Sequence, residues 1–244
     1  MSASAAVRWC SPFKIVDTAT VVHVDLTENT AHEAAALAWL SDCERERGRH
    51  FVYDGPRRRF ALCRAALRAI LCNRLGCENK QLEFKAAEYG KPMALVDGMP
   101  VSVSFNVSHS GEHGLIAIAP EGRLGVDVEE RVAHRNMDLL IDGVFGPSEQ
   151  AELSSTRGGD KVHLFFRLWT IKEALIKALG TGFVLDPSTF QVPAEMFSGE
   201  VKFAMKLPQA PEVNWQVDDL GNERFAAAIA QEGGSGACKE SRAA

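Results

Sequence analysis

Two carboxylates, Asp127 and Glu129, stand one residue apart in the run Leu124-Gly125-Val126-Asp127-Val128-Glu129-Glu130. The valines predict an extended strand. Side chains alternate faces along a strand, so Asp127 and Glu129 point one way while Val126 and Val128 point the other, into a core. Two ionised carboxylates about 5 Å apart repel by about 3 kcal/mol at an effective dielectric near 20, and a cation between them relieves that repulsion. Oxygen donors with no His or Cys beside them suit a hard ion, and a small donor set that leaves room for water and phosphate suits magnesium better than calcium. A solvent-facing strand end carrying two acids accounts for this segment equally well.

A third acid lies on a predicted helix from Phe165 to Leu179, where Leu168, Ile171, Leu175 and Leu179 recur at helical spacing as a buried stripe. Glu173 and Lys177 fall one turn apart on another face, ready either to ligate and neutralise phosphate or simply to stabilise the helix by a few tenths of a kcal/mol. Gly180 and Gly182 are placed to end the helix. Upstream, Glu88-Tyr89-Gly90-Lys91-Pro92 reads as a turn bearing one cation. The stretch Ser104-Phe105-Asn106-Val107-Ser108-His109-Ser110-Gly111 offers hydroxyl and imidazole donors suited to phosphate oxygens. Taken singly, Lys91 is a solvated turn lysine and His109 a satisfied loop histidine.

In this order, YGKP (89–92), FNVSHS (105–110), GVDVE (125–129) and WTIKEALIK (169–177) resemble the Sfp-type 4'-phosphopantetheinyl transferases, with weaker similarity from about Ser41 to about Ala230. Trp169 with Lys172-Glu173-Ala174 looks like the W/KEA branch that typically serves peptide and polyketide synthases. The resemblance implies transfer of the phosphopantetheine arm of coenzyme A to a serine of an apo acyl or peptidyl carrier protein, a holo-[acyl-carrier-protein] synthase activity. It implies Asp127, Glu129 and Glu173 as Mg2+ ligands, with Glu173, Lys177 and Asp127 as the catalytic group. It also implies Arg47, Arg59, Lys91, Ser108, His109 and Lys177 as contacts of the coenzyme. Glu44 departs from the pattern, standing where a lysine is often found, and receives no ligand role; Arg47 replaces a second lysine with a fork better shaped for phosphate. Glu149 matches an acidic position whose helix-capping setting suggests a structural task. The implied fold is α+β, a pseudo-twofold pair of similar subdomains with the site in the cleft between them.

The elements are expected to follow that plan. The first subdomain, 1–112, is predicted to hold one helix from about Ala31 to Arg49, a second from about Pro56 to Leu75, and strands near Leu82–Phe84, Ala94–Val96 and Val101–Val107. The second, 113–230, should open with a hairpin of Gly114–Ala119 and Gly125–Glu129 turning at Pro120-Glu121-Gly122. Helices near Asn136–Ile141, Pro147–Ser154 and His163–Leu179 and strands near Phe190–Val192, Val201–Leu207, Val213–Val217 and Phe225–Ala230 complete it. Residues 231–244 lack an apolar period and read as a disordered tail.

Composition is consistent with a catalytic domain pair. The chain has 244 residues, 46% of them hydrophobic, enough for a sizeable core. A net charge of −5 argues against a general nucleic-acid binder, and a carrier protein, usually acidic, would need a local basic surface such as Arg45–Arg68. No apolar stretch approaches a membrane span, and Met1–Lys14 has no secretory pattern. The six cysteines form no CxxC pair and read as reduced, cytoplasmic thiols; a monomer is expected. Two other functions use similar residues: a magnesium-dependent nucleotide pyrophosphate hydrolase, and a non-catalytic carrier-binding module.

Overall fold

The computed structural model describes residues 7–86, 90–133, 135–180 and 185–233. The chain runs β1 (Cys10–Val16), β2 (Ala19–Asp25), α1 (Thr30–Trp39), α2 (Asp42–Arg49), α3 (Asp54–Leu75), β3 (Leu82–Ala86), β4 (Pro92–Val96), β5 (Met99–Pro100), β6 (Ser104–Ser110), β7 (His113–Ala119) and β8 (Leu124–Glu130). It continues through α4 (Met137–Val144), α5 (Pro147–Ser155), α6 (Gly158–Leu179), β9 (Lys202–Leu207), β10 (Ala210–Asp219) and β11 (Phe225–Glu232). Two four-stranded antiparallel sheets, ordered β1-β2-β7-β6 and β8-β11-β10-β9, form the frame, with β3-β4-β5 as a smaller third sheet.

Alternation along the strands sorts their residues into three cores. Val24, Leu26, Phe105, Ile116 and Ile118 pack with Leu62, Leu67 and Leu71 of α3. Ala226, Ala228 and Ala230 of β11 and Trp215 of β10 pack with Leu168, Ile171 and Leu175 of α6. The opposite faces of the two sheets meet through Val21, Leu115 and Ala117 on one side and Val126, Val128, Phe225 and Ile229 on the other. The layers are therefore helix, sheet, sheet, helix, an α+β pair in which each half has one 22-residue helix outside its sheet. Both long helices end on a left-handed glycine, Gly76 and Gly180, as expected for C-caps. Gly182 and the Glu88-Tyr89 part of the upstream turn lie outside the described residues.

Several expectations are corrected. The helix predicted over 31–49 is two helices, because Ser41 starts α2 with a capping box: its hydroxyl accepts from Glu44 N, and the Glu44 carboxylate accepts from Ser41 N. The hairpin across Pro120–Gly122 does not form. β7 pairs with β2 and β6, whereas β8 pairs with β11, so the division between sheets falls in residues 120–123 rather than at 112/113. Strands β1 and β2 carry no expectation at all, since their two-residue turn uses Asp17 at φ 49 instead of a glycine. Residues 190–192 are not a strand. β11 continues to Glu232, two residues into the segment expected to be a tail; residues 234–244 lie outside the described residues.

One glycine sets the distance between β8 and α6. A Cβ on Gly125 would stand 2.1 Å from Ala174 O and 2.4 Å from Ala178 N, both backbone atoms of the helix. Gly125→Ala therefore has to push α6 off the strand that carries Asp127 and Glu129. The expected outcome is a loss of about 1–3 kcal/mol of stability from overpacking, accompanied by weakened contact between Lys177 and Asp127. Urea denaturation measures the first, and an unchanged midpoint would show that α6 does not need this close approach.

Candidate active site

Asp127 and Glu129 share the α6-facing side of β8, opposite Val126 and Val128, as the alternation predicts. Their register partners Ala228 and Ala226 on β11 lie on the same face. Asp127 is not a solvent-facing acid, because α6 covers it, leaving it 2% exposed. Its Oδ1 accepts from Ser108 Oγ at 2.7 Å and from Lys177 Nζ at 2.6 Å, and Lys177 Nζ also reaches Ser108 Oγ at 2.9 Å. These three side chains come from β8, β6 and α6, and so from both halves of the molecule.

Ser108 is thus one element of a wider seam. β6 and β8 are edge strands of their two sheets, and an edge leaves backbone donors to be satisfied. Alternate side chains of β6 satisfy them: Val126 N donates to Asn106 Oδ1 at 2.9 Å and Glu130 N to Ser110 Oγ at 3.2 Å. Asn106, Ser108 and Ser110 therefore join the halves. The spacing of two was visible in the sequence, but the strand it serves was not.

The electrostatics of the acids are those of neighbours. Burial pushes the Asp127 carboxyl above its ordinary pKa, against the opposing effects of Lys177 and Ser108. Burial also raises Glu129 to about 7, with Asp127 and Glu173 adding to the rise and the Ser110 hydrogen bond and Lys177 opposing it. Glu173 is raised by burial and then by Asp127. The three carboxylates are near enough to act on one another's charge. They are not gathered onto one point, however, since among the described residues no three His, Cys, Asp or Glu side chains are close enough to hold a metal ion together. The Lys177 ammonium lies against Asp127 Oδ1, while Asp127 Oδ2 is buried with no hydrogen-bond partner.

The remaining predicted coenzyme contacts divide. His109, next to Ser108, points to the exposed side of β6. Desolvation first, then the charges of Arg59 and Lys177, lowers its pKa, so His109 stands near two cations, Arg59 and Lys177, and is itself held toward its neutral form. In the arginine triplet, Arg57 pairs with Asp54 at 2.5 Å and Arg58 with Glu33 at 2.9 Å, while Arg59 acts on His109. Lys91 is more committed: its Nζ donates to Leu124 O at 3.0 Å and Lys177 O at 3.1 Å, capping the C-terminal end of α6 and tying it to the start of β8. Burial lowers its pKa to about 8. Arg47 lies apart from the acids, its guanidinium 5.2 Å above the Phe60 ring in a cavity of about 900 Å³ in the first half.

Comparison with known proteins gives the arrangement a family. Residues 123–230 match the model of the 4'-phosphopantetheinyl transferase superfamily, and residues 28–121 match that of the 4'-phosphopantetheinyl transferase N-terminal domain. The 4'-phosphopantetheinyl transferase HetI of a Nostoc species is 34% identical over 161 residues, 66% of this chain and 67% of HetI. The chain belongs to the 4'-phosphopantetheinyl transferase superfamily. A Synechocystis protein whose transferase name is itself provisional is 40% identical over 145 residues, 59% of this chain and 58% of that protein. Sfp of Bacillus subtilis is 25% identical over 172 residues, 70% of this chain and 74% of Sfp. The match thus spans less than two thirds of the Synechocystis relative. The two family models meet at residues 121–123, where the chain passes from one sheet to the other.

Two residues of this transferase-family chain acquire roles that sequence reading left open. Glu149 is fully buried and caps α5, accepting from Gly146 N at 2.7 Å and from Val192 N at 2.8 Å. It also pairs with Lys172 Nζ at 2.8 Å. Lys172, 1% exposed, donates further to Pro187 O at 2.8 Å and Phe190 O at 2.6 Å. The lysine of the KEA triplet is therefore structural, pointing away from Glu173 into the core. Trp169 stacks on Phe165 with centroids 5.7 Å apart and packs against the same core. Glu44, the departure from the family pattern, is structural too: it closes the α2 cap and accepts from Arg68 Nη1 at 3.1 Å.

Proposed function

We propose that the chain transfers the 4'-phosphopantetheine arm of coenzyme A to a serine of an apo acyl or peptidyl carrier protein, as a member of the Sfp-type, W/KEA-like branch. The contact of Ser108, Asp127 and Lys177 across the seam between the halves, with Glu129 and Glu173 near enough to feel the Asp127 charge, carries this reading. A diphosphate needs cations on one side and acids able to hold a metal or a proton on the other. Arg59 and Lys177 supply the first, with the His109 imidazole as a further hydrogen-bonding group, and Asp127, Glu129 and Glu173 supply the second.

The all-oxygen donor set and the unpartnered buried Asp127 Oδ2 fit a hard divalent cation. Asp127, Glu129 and Glu173, which do not converge on one point in the metal-free arrangement, would hold Mg2+ after side-chain rotation toward it. When bound, it neutralises charge on the diphosphate oxygens. In the metal-free arrangement Lys177 balances Asp127 instead, and a phosphate provides the alternative partner for its ammonium. The carrier serine is the nucleophile: its oxygen bonds to the phosphorus bearing the pantetheine arm, the diphosphate P–O bond breaks, and adenosine 3',5'-bisphosphate leaves. Glu173 takes the serine proton. Burial and Asp127 hold its pKa above the ordinary carboxylate range, which suits a general base. Lys177, one helical turn away, steadies the leaving bisphosphate.

Intact mass spectrometry tests this with coenzyme A and apo carriers from fatty-acid, polyketide and peptide synthases. The expected result is a carrier heavier by one phosphopantetheine, abolished by a chelator and restored by Mg2+. Release of bisphosphate with no added mass would identify a pyrophosphate hydrolase instead. Carrier binding without transfer would identify a non-catalytic module. Coenzyme A is the substrate in this scheme and the carrier the partner; nucleic acid and membrane have no part in it. Among the described residues no helix is long and apolar enough to cross a membrane.

A further inference from the structure

The cavity beside α2 and α3 contains a pair of arginines that look alike in sequence and differ in satisfaction. Arg68 is 3% exposed and fully engaged: Nε donates to Asn79 Oδ1 at 2.7 Å, Nη2 to Asn79 O at 2.7 Å and Leu82 O at 2.8 Å, and Nη1 to Glu44. Arg64, one helical turn earlier, is not. Its Nε stands 3.6 Å from Glu44 Oε1, beyond hydrogen-bond distance, and its Nη1 is buried with no hydrogen-bond partner among the described residues. The guanidinium is held flat over Phe84 at 4.4 Å and lies 5.9 Å from the Phe60 ring centroid, the same ring that Arg47 covers at 5.2 Å.

We infer that Arg64, oriented by Glu44 and Phe84, is a phosphate-binding residue that acts with Arg47 on the 3'-phosphate of coenzyme A. This rests on the transferase reading above. A buried guanidinium donor without an acceptor is costly, and an anion entering the cavity satisfies it. Two guanidinium forks converging on one aromatic ring suit the tetrahedral oxygens of a phosphate monoester. The cavity, at about 900 Å³, has room for a nucleotide as well as an ion. Its wall includes Gly90 and Pro92, the neighbours of Lys91, and Lys91 is bonded to Lys177 O, so one part of the wall is tied to the helix that carries Glu173 and Lys177. Glu44 occupies a position where the resembled family often has a cation. The chain compensates by using that carboxylate to hold Arg64 and Arg68, with Arg64 supplying the missing positive charge.

Equilibrium binding of coenzyme A and of 3'-dephospho-coenzyme A to the full chain tests the inference. Arg64→Met keeps the aliphatic packing and removes the fork. It is expected to weaken coenzyme A about tenfold, the scale of one charge-assisted hydrogen bond, and dephospho-coenzyme A less than twofold, with kcat at saturating coenzyme unchanged. Arg64→Lys should recover part of the loss. In the unaltered protein, coenzyme A should protect Arg64 from phenylglyoxal, read by peptide mass spectrometry, while dephospho-coenzyme A should not. This readout stands even if the variant folds poorly. Equal losses, or equal protection by both ligands, would overturn the assignment while leaving the transferase reading in place. Failure of the unaltered protein to bind either ligand would overturn both.

Discussion

Glu173→Gln is expected to lower phosphopantetheine transfer by about 10²–10⁴-fold, the range for loss of a positioned general base, without lowering the melting temperature. The side chain keeps its size and loses only its charge. In the metal-free protein that charge is a burden, since burial and Asp127 both push the Glu173 pKa upward, so its removal relieves repulsion. Asp127 behaves differently. Its carboxylate is the acceptor for both Ser108 and Lys177, so Asp127→Ala leaves the Ser108 hydroxyl without its acceptor and the lysine without its hydrogen-bonded counter-ion, costing about 1–3 kcal/mol of stability alongside the loss of activity. The relief of like-charge repulsion expected at Glu173 is offset at Asp127 by the ammonium of Lys177. Rates from carrier mass gain, set beside thermal unfolding curves, separate the two. Near-normal transfer by Glu173→Gln would remove Glu173 from the chemistry and leave proton removal to another group.

Lys172→Met is expected to be the most destabilising single change in the second half. Breaking a buried ion pair costs about 3–5 kcal/mol, which for a chain of this size lowers the melting temperature by about 10 °C. The variant leaves the Glu149 carboxylate buried with only its two backbone donors, and leaves Pro187 O and Phe190 O without theirs. Adding Glu149→Gln to Lys172→Met should restore part of the lost stability, because the uncompensated charge is then gone. Circular dichroism melts of the single and double variants measure this coupling. Equal melting temperatures for Lys172→Met and the unaltered protein would mean that the lysine is not needed in the core.

Local pattern carried much of this molecule. A period of two placed Asp127 and Glu129 on one face of β8, and a period near four placed Glu173 and Lys177 together on α6, because both periods follow from backbone geometry alone. Glycines at 76 and 180 ended the long helices for an equally local reason. Where a segment's fate depended on a distant partner, pattern failed. The partner of Ser108, Asp127 on the other sheet, is named by no local pattern. Residues 190–192 looked like a strand but give their backbone groups to Lys172 and Glu149. Gly114–Ala119 looked like the partner of β8 but pairs with β2 and β6.

Thus the sequence by itself determined the chemistry on offer: three acids, a lysine one turn from the last of them, and a family whose motifs occur in order. Only the tertiary structure decided which of these groups touch. Hydrogen bonds and ion pairs form between whichever donors and acceptors the packing of sheets and helices brings within about 3 Å. That packing is set jointly by many apolar contacts along the whole chain, so Lys172 is drawn into the core while Glu173, the next residue and on a different helix face, stays only half-buried.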